Sequence, residues 1–121
     1  MSLLERMRWW VPVSTPRPKK SCSLQIQEPE DPARDHPLSS GVYVVGRSPN
    51  FPVSLKDRMV SRIHCVLAVK RDRTVRICDF QSSFGTSLRG VSLQPWEWRD
   101  VAEGDEILVG EHTRLRLHRS S

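Results

Sequence analysis

Ile63-His-Cys-Val-Leu-Ala-Val69, the polar break Arg71-Asp-Arg73 and Thr74-Val-Arg-Ile-Cys78 read as two short strands joined by a turn. In the first, Ile63, Cys65, Leu67 and Val69 fall on one side; in the second, Val75 and Ile77 do. A period of two over five to seven residues is the mark of a strand with one buried face. Upstream, Gly41-Val-Tyr-Val-Val-Gly46 is β-branched and aromatic with glycine at both ends. Downstream, Gly85–Leu88, Trp96–Val101, Glu106–Val109 and Thr113–His118 continue the series. No stretch keeps a 3.6-residue apolar period over helical length. Short strands at close spacing predict an all-β sandwich or barrel.

Residues 1–40 have a different texture. They hold six of the nine prolines, a basic run, Arg17-Pro-Lys-Lys20, and an acidic run, Glu28-Pro-Glu-Asp-Pro-Ala-Arg-Asp-His-Pro37, that reads as a loop. Arg8–Val13 and Cys22–Gln27 are candidate strands within this part, the second with Cys22, Leu24 and Ile26 on one face. The division expected is therefore 1–40, strands and loops partly packed on the domain, and 41–119, the domain core. In all, 121 residues with 37% hydrophobic and 27% charged side chains suffice for one packed core.

Nineteen Lys and Arg against fourteen Asp and Glu give a formal charge of +5. That balance favours an anionic partner without choosing among nucleic acid, phospholipid and phosphoprotein. Cys22, Cys65 and Cys78 are odd in number and widely spaced, so they read as reduced thiols of a nuclear or cytoplasmic protein. No membrane span is expected, and Glu5, Arg6 and Arg8 break the apolar start that a signal peptide needs.

Three polar groups lie at strand ends beside turns: Gly46-Arg47, Ser61-Arg62-Ile63-His64, and Asp79-Phe-Gln-Ser-Ser-Phe-Gly-Thr86. Loops held by a rigid sandwich are where binding residues concentrate. Guanidinium groups and a hydroxyl suit a phosphate dianion, because Arg forks onto two oxygens and charge-assisted hydrogen bonds are about twice as strong as neutral ones.

Those three groups, followed by Glu103-Gly-Asp-Glu-Ile-Leu-Val-Gly110, resemble in order the forkhead-associated (FHA) family. The resemblance runs from about Gly41 to Leu117. It implies a sandwich of about eleven strands with recognition loops at one end, and a module that binds phosphothreonine-containing partners without catalysis, cofactor or metal. On that resemblance Arg47 would fork onto the phosphate, Ser61 would donate its hydroxyl, Arg62 would add a second cationic contact, and Ser83 would line the pocket. His64 would brace the loop from behind, while Gly46, Asp79, Gly85 and Thr86 would shape the turns. The sequence departs from the family pattern at Phe84 and Arg89, where Asn is usual, and Phe84 cannot offer the amide that grips a peptide backbone. An aromatic at that position, with Tyr43–Arg47 upstream, is similar to the N-terminal FHA domain of nibrin and suggests a setting in DNA-damage or cell-cycle signalling.

Competing readings remain open from the same residues. Arg114, Arg116 and His118 form a basic stripe opposite Leu115 and Leu117, which fits a nucleic-acid patch on a domain with a decayed pocket. Thr15-Pro16 looks like a proline-directed phosphorylation site, consistent with a homodimer. Ser61, His64 and Asp79 could be assembled into a hydrolase triad, but no nucleophile elbow accompanies them. Trp96 and Trp98 are expected to pack on one side of a strand.

Overall fold

Cys22-Ser-Leu-Gln-Ile-Gln27 shows how the alternation becomes structure: Cys22, Leu24 and Ile26 are buried, and the residues between them are not. The computed structural model describes residues 22–119. Arg8–Val13 and Thr15-Pro16 lie outside the described residues.

Eleven strands are formed among the described residues: β1 Cys22–Gln27, β2 Arg34–Leu38, β3 Gly41–Gly46, β4 Val53–Ser54, β5 Cys65–Val69, β6 Val75–Asp79, β7 Thr86–Leu88, β8 Val91–Ser92, β9 Trp98–Val101, β10 Glu106–Val109 and β11 Thr113–Arg119. They make two sheets, one in the order β2-β1-β11-β10-β7-β8 and the other β4-β3-β5-β6-β9. All pairs are antiparallel except β3 with β4. The all-β sandwich expected from the spacing of strands is the fold.

Register follows from burying one face of each strand, since a slip of one residue would turn every side chain over. Leu24 lies opposite Leu117 and Ile26 opposite Leu115, and all four are buried. In the facing sheet, Leu67 lies opposite Ile77 and Val69 opposite Val75, again buried. Together with Val45, Ile107 and Val109 they belong to one continuous core. Each such side chain contributes about 1.5–3 kcal/mol by leaving water. No helix occurs among the described residues, so none is long and apolar enough to cross a membrane.

The acidic run expected as a loop is a loop only in part. Its end, Arg34–Leu38, is β2, paired with β1 along five residues. Pro37 is tolerated because β2 is an edge strand and need not donate on its outer side. Ile63 was expected inward with Cys65, but it precedes the strand and is 45% exposed. Trp96–Val101 shortens to β9, because Trp96 takes a left-handed backbone with φ of 68°. Trp96 and Trp98 accordingly do not pack as a buried pair: they are 57% and 40% exposed, and Trp96 stacks at a tilt on Phe80 with ring centres 4.8 Å apart.

Candidate functional site

β3 carries the chain to Gly46, and Arg47 follows at the first turn. A Cβ on Gly46 would sit 2.1 Å from the Arg62 carbonyl oxygen, so only glycine lets β3 pass this close to the Ser61–His64 segment. The Arg47 backbone N–H then donates to the Ser61 carbonyl at 3.2 Å, and its side-chain Nε donates to the Val60 carbonyl at 2.6 Å. That second bond holds the exposed guanidinium at its inner edge. Among the described residues its two terminal amino groups have no hydrogen bond or ion pair.

Ser61 Oγ accepts the Ser83 backbone N–H at 3.0 Å, which leaves its own proton free to donate. Arg47, Ser61 and Ser83 are thus brought together from three segments. Arg62 stands beside Ser61, exposed and without an ion pair among the described residues. Arg47 and Ser61 are thus held together by backbone contacts, with Arg62 next in sequence; guanidinium and hydroxyl groups make a donor set suited to a multiply charged oxyanion.

His64 joins the Ser61 segment to the turn at Gly85. Its Nδ1 accepts the Ser61 N–H at 3.0 Å, and its Nε2 lies 2.8 Å from the Gly85 carbonyl. A ring that accepts at Nδ1 must be neutral and carry its proton on Nε2, which then donates to Gly85. The side chain is fully buried, and burial holds its pKa below the ordinary imidazole value. The Gly85 carbonyl also accepts the Gly110 N–H at 3.0 Å, and Gly85 itself takes a φ of 82°. Asp79 is buried at the end of β6 and shapes the turn before Phe84. It accepts the hydroxyls of Ser82 and Thr86, each at 2.6 Å, and the Ser82 N–H at 3.2 Å.

Two anchoring carboxylates carry no motif signal. Glu28, 2% exposed, accepts the backbone N–H groups of Lys56 and Asp57 at 2.6 and 3.0 Å and pairs with Arg34 at 2.9 Å. Asp57 in turn accepts the Met59 N–H at 3.0 Å and the Thr113 hydroxyl at 2.7 Å, while its carbonyl takes the Val60 N–H at 3.0 Å. The segment that presents Val60 and Ser61 to Arg47 is therefore moored to β1 and β11. Buried acid followed by Pro is the one local sign that Glu28 is special, and it reads equally well as a loop.

The competing constellations fare differently. Arg116 and Arg114 lie 2.9 and 3.8 Å from the carboxylate of Glu106, so the basic stripe is largely paired. Arg89, in place of Asn, pairs with Asp105 at 2.7 Å. The Ser61–His64–Asp79 triad does not form: His64 meets the Ser61 backbone N–H rather than Oγ, and Asp79 serves Ser82 and Thr86. Among the described residues no group of three His, Cys, Asp or Glu side chains could hold a metal ion.

Loops held by a rigid two-sheet sandwich are a common setting for binding residues. The FHA domain model matches residues 43–110, and the chain belongs to the FHA family. FHA domains are binding modules, generally non-enzymatic, that typically mediate phosphothreonine-dependent protein interactions. The chain is 33% identical over 79 residues to the FHA domain-containing protein PS1 of Arabidopsis thaliana, covering 64% of this chain and 5% of that protein's length. It resembles the FHA domain of CT664 from Chlamydia trachomatis, with a TM-score of 0.75 at 21% identity over 84% of this chain and 99% of that one. It also resembles the N-terminal FHA domain of S. cerevisiae Rad53p in complex with a phosphothreonine peptide, with a TM-score of 0.70 at 23% identity over 83% and 94% of the two chains. The likeness to the nibrin domain gains no support from these relatives.

Proposed function

We propose that this chain docks a protein partner through a phosphothreonine, with Arg47, Ser61 and Arg62 holding the phosphate and Ser83 lining the pocket beside it. The observation that carries this reading is the pinned Arg47: its Nε is fixed on the carbonyl of Val60, the residue before Ser61, while its terminal amino groups have no partner among the described residues. A bidentate contact of that geometry needs little further ordering on binding, which is where affinity is otherwise lost. His64, Asp79, Gly46, Gly85 and Thr86 act on this site only by fixing its loops. A nucleus or cytoplasm as setting rests on three buried, unbridged thiols, Cys22, Cys65 and Cys78. A role in DNA-damage or cell-cycle signalling rests on the sequence resemblance alone.

The test is calorimetric titration with one peptide in phosphothreonine and threonine forms. A phosphate adds about 1.5–2 negative charges and three acceptors, so binding should vanish without it. Arg47→Ala should cost about 2–5 kcal/mol, the usual penalty for removing one side of a desolvated charge contact. Equal affinity for the two forms refutes the reading. Glu106, 2.9 and 3.8 Å from the two arginines of the stripe, weighs against the nucleic-acid alternative.

A further inference from the structure

We infer that the outer face of the β4-β3-β5-β6-β9 sheet is a docking surface for this chain's own apolar run, Trp9-Trp-Val-Pro-Val13, which lies outside the described residues. The inference is independent of the phosphothreonine reading. Cys65, Leu67, Val69, Val75 and Ile77 belong to the core, so the residues between them on β5 and β6 face away from the other sheet. Across the strands Val44, Val66, Cys78 and Trp98 stand side by side, with Val42 and Ala68 paired in the next row. An antiparallel sheet with one face on a core commonly turns polar side chains to water on the other. The six-stranded sheet does so: Asp35, Gln25, Arg116 and Glu106 stand side by side across its outer face. The five-stranded sheet does not.

Two observations point to the occupant. Val66 and Cys78 are 5% and 2% exposed, yet neither belongs to the continuous core, so what shields them lies on the outer face. Beside them Val42 and Trp98 are 65% and 40% exposed, so the shield is incomplete among the described residues. The other observation is where the described residues begin. Cys22 lies opposite Arg119, whose Nη1 donates at 3.1 Å to the carbonyl of Arg73, in the turn between β5 and β6. Residue 22 therefore stands at one end of this face. Cys78 is five residues along β6 from Arg73, about 17 Å, and the nine residues from Val13 to Cys22 reach about 30 Å when extended. Five extended residues span about 13 Å, and a row across four strands spans about 14 Å. Trp9–Val13 contains no polar side chain, so laying it over Val66, Cys78 and Trp98 takes two apolar surfaces out of water at once.

The experiment alkylates the full chain with iodoacetamide and follows each thiol by mass spectrometry, in wild type and in a Trp9→Ser, Val11→Ser double variant. Cys78 reports on the outer face and Cys65, one strand away and turned into the core, reports on global opening. Losing roughly 100 Å² of apolar cover should raise the labelling rate of Cys78 about tenfold or more and leave that of Cys65 unchanged. In the same variant the methyl resonances of Val42 and Val66 should shift as the indole rings leave, while those of Val109 in the core stay. An unchanged Cys78 rate overturns the inference, and so does an equal rise at both thiols, which would mean that the segment supports the whole fold rather than this face. Sedimentation of wild type over a hundredfold dilution tests the other occupant: Cys78 protection that is lost as a dimer dissociates would assign the face to a second copy and overturn docking of Trp9–Val13. Protection that is independent of concentration and lost only in the double variant supports it.

Discussion

Replacing Glu28 tests whether a buried carboxylate far from the rim holds the site in shape. Glu28→Ala removes three hydrogen bonds at once: Oε1 loses the N–H groups of Lys56 and Asp57, and Oε2 loses Arg34. Two backbone donors left without acceptors cost about 1–3 kcal/mol each. The Arg34 pair adds at most about 1 kcal/mol, because the arginine is partly exposed. A cleft of about 400 Å³ opens beside Glu28, lined by Gln27, Pro29 and His112 among others, so water can enter the space the side chain leaves. The loss should therefore fall at the low end, about 3 kcal/mol, which lowers the melting temperature of a domain this size by about 15 °C. Glu28→Gln keeps the Oε1 acceptor but turns an amide toward Arg34, so about 1 kcal/mol is expected. Urea unfolding gives the order wild type, Gln, Ala. Phosphopeptide titration at low temperature, where all three are folded, should show weakened binding by the Ala variant, because Asp57 and Val60 no longer hold the acceptor of Arg47 in place. An alanine variant within 1 kcal/mol of wild type, or a glutamine variant as damaged as alanine, refutes this account.

Gly46→Ala drives a methyl group to 2.1 Å from the Arg62 carbonyl and should cost about 3 kcal/mol of stability, with binding lost in step; unchanged urea midpoints would contradict it. His64 gives a signed pH dependence. Because burial lowers its folded pKa, the unfolded chain takes a proton first, and stability is complete above about 6.5 and falls as pH drops from there toward the folded value. An imidazole resonance for His64 titrating at or above 6.5 would contradict this, and measuring unfolding without peptide separates it from protonation of the ligand's phosphate. Phosphoserine in place of phosphothreonine removes one methyl group, worth about 0.8–1 kcal/mol if it is enclosed, so a four- to fivefold weaker peptide is expected by calorimetry; equal affinities mean no methyl pocket.

β5 and β6 were legible because their partners and their core face repeat every second residue, and Leu67 and Ile77 sit where alternation puts them. β2 was not, because an edge strand need not be apolar: Arg34, Asp35 and Pro37 face water or an unpaired edge and read as loop. Leu55 and Val60 are buried from within a connection that has no period at all. Ile63 misled because the strand starts two residues later, and the alternation was extended past its end. Arg47, Ser61, His64 and Ser83 were named on a family resemblance, and the fold joins their segments by hydrogen bonds. Glu28 and Asp57 escaped because their partnership spans 29 positions and uses backbone N–H groups, which no side-chain pattern records.

The geometry also explains why a site with so few ligand-facing groups needs so many buried polar ones. Three segments must hold a guanidinium, a hydroxyl and a turn in one arrangement, and none of them is a regular element. Each is therefore fixed by a side chain bonded to backbone: buried Glu28 and half-buried Asp57 for the segment before Ser61, buried His64 between Ser61 and Gly85, buried Asp79 for the turn through Ser82. Ordering a loop residue costs about 1–2 kcal/mol. If these bonds did not meet that cost during folding, the peptide would have to meet it on binding, and the selectivity carried by one phosphate would shrink accordingly. On the phosphothreonine reading proposed above, buried acids and a neutral imidazole at the loop bases contribute to recognition by fixing the loops rather than by contact.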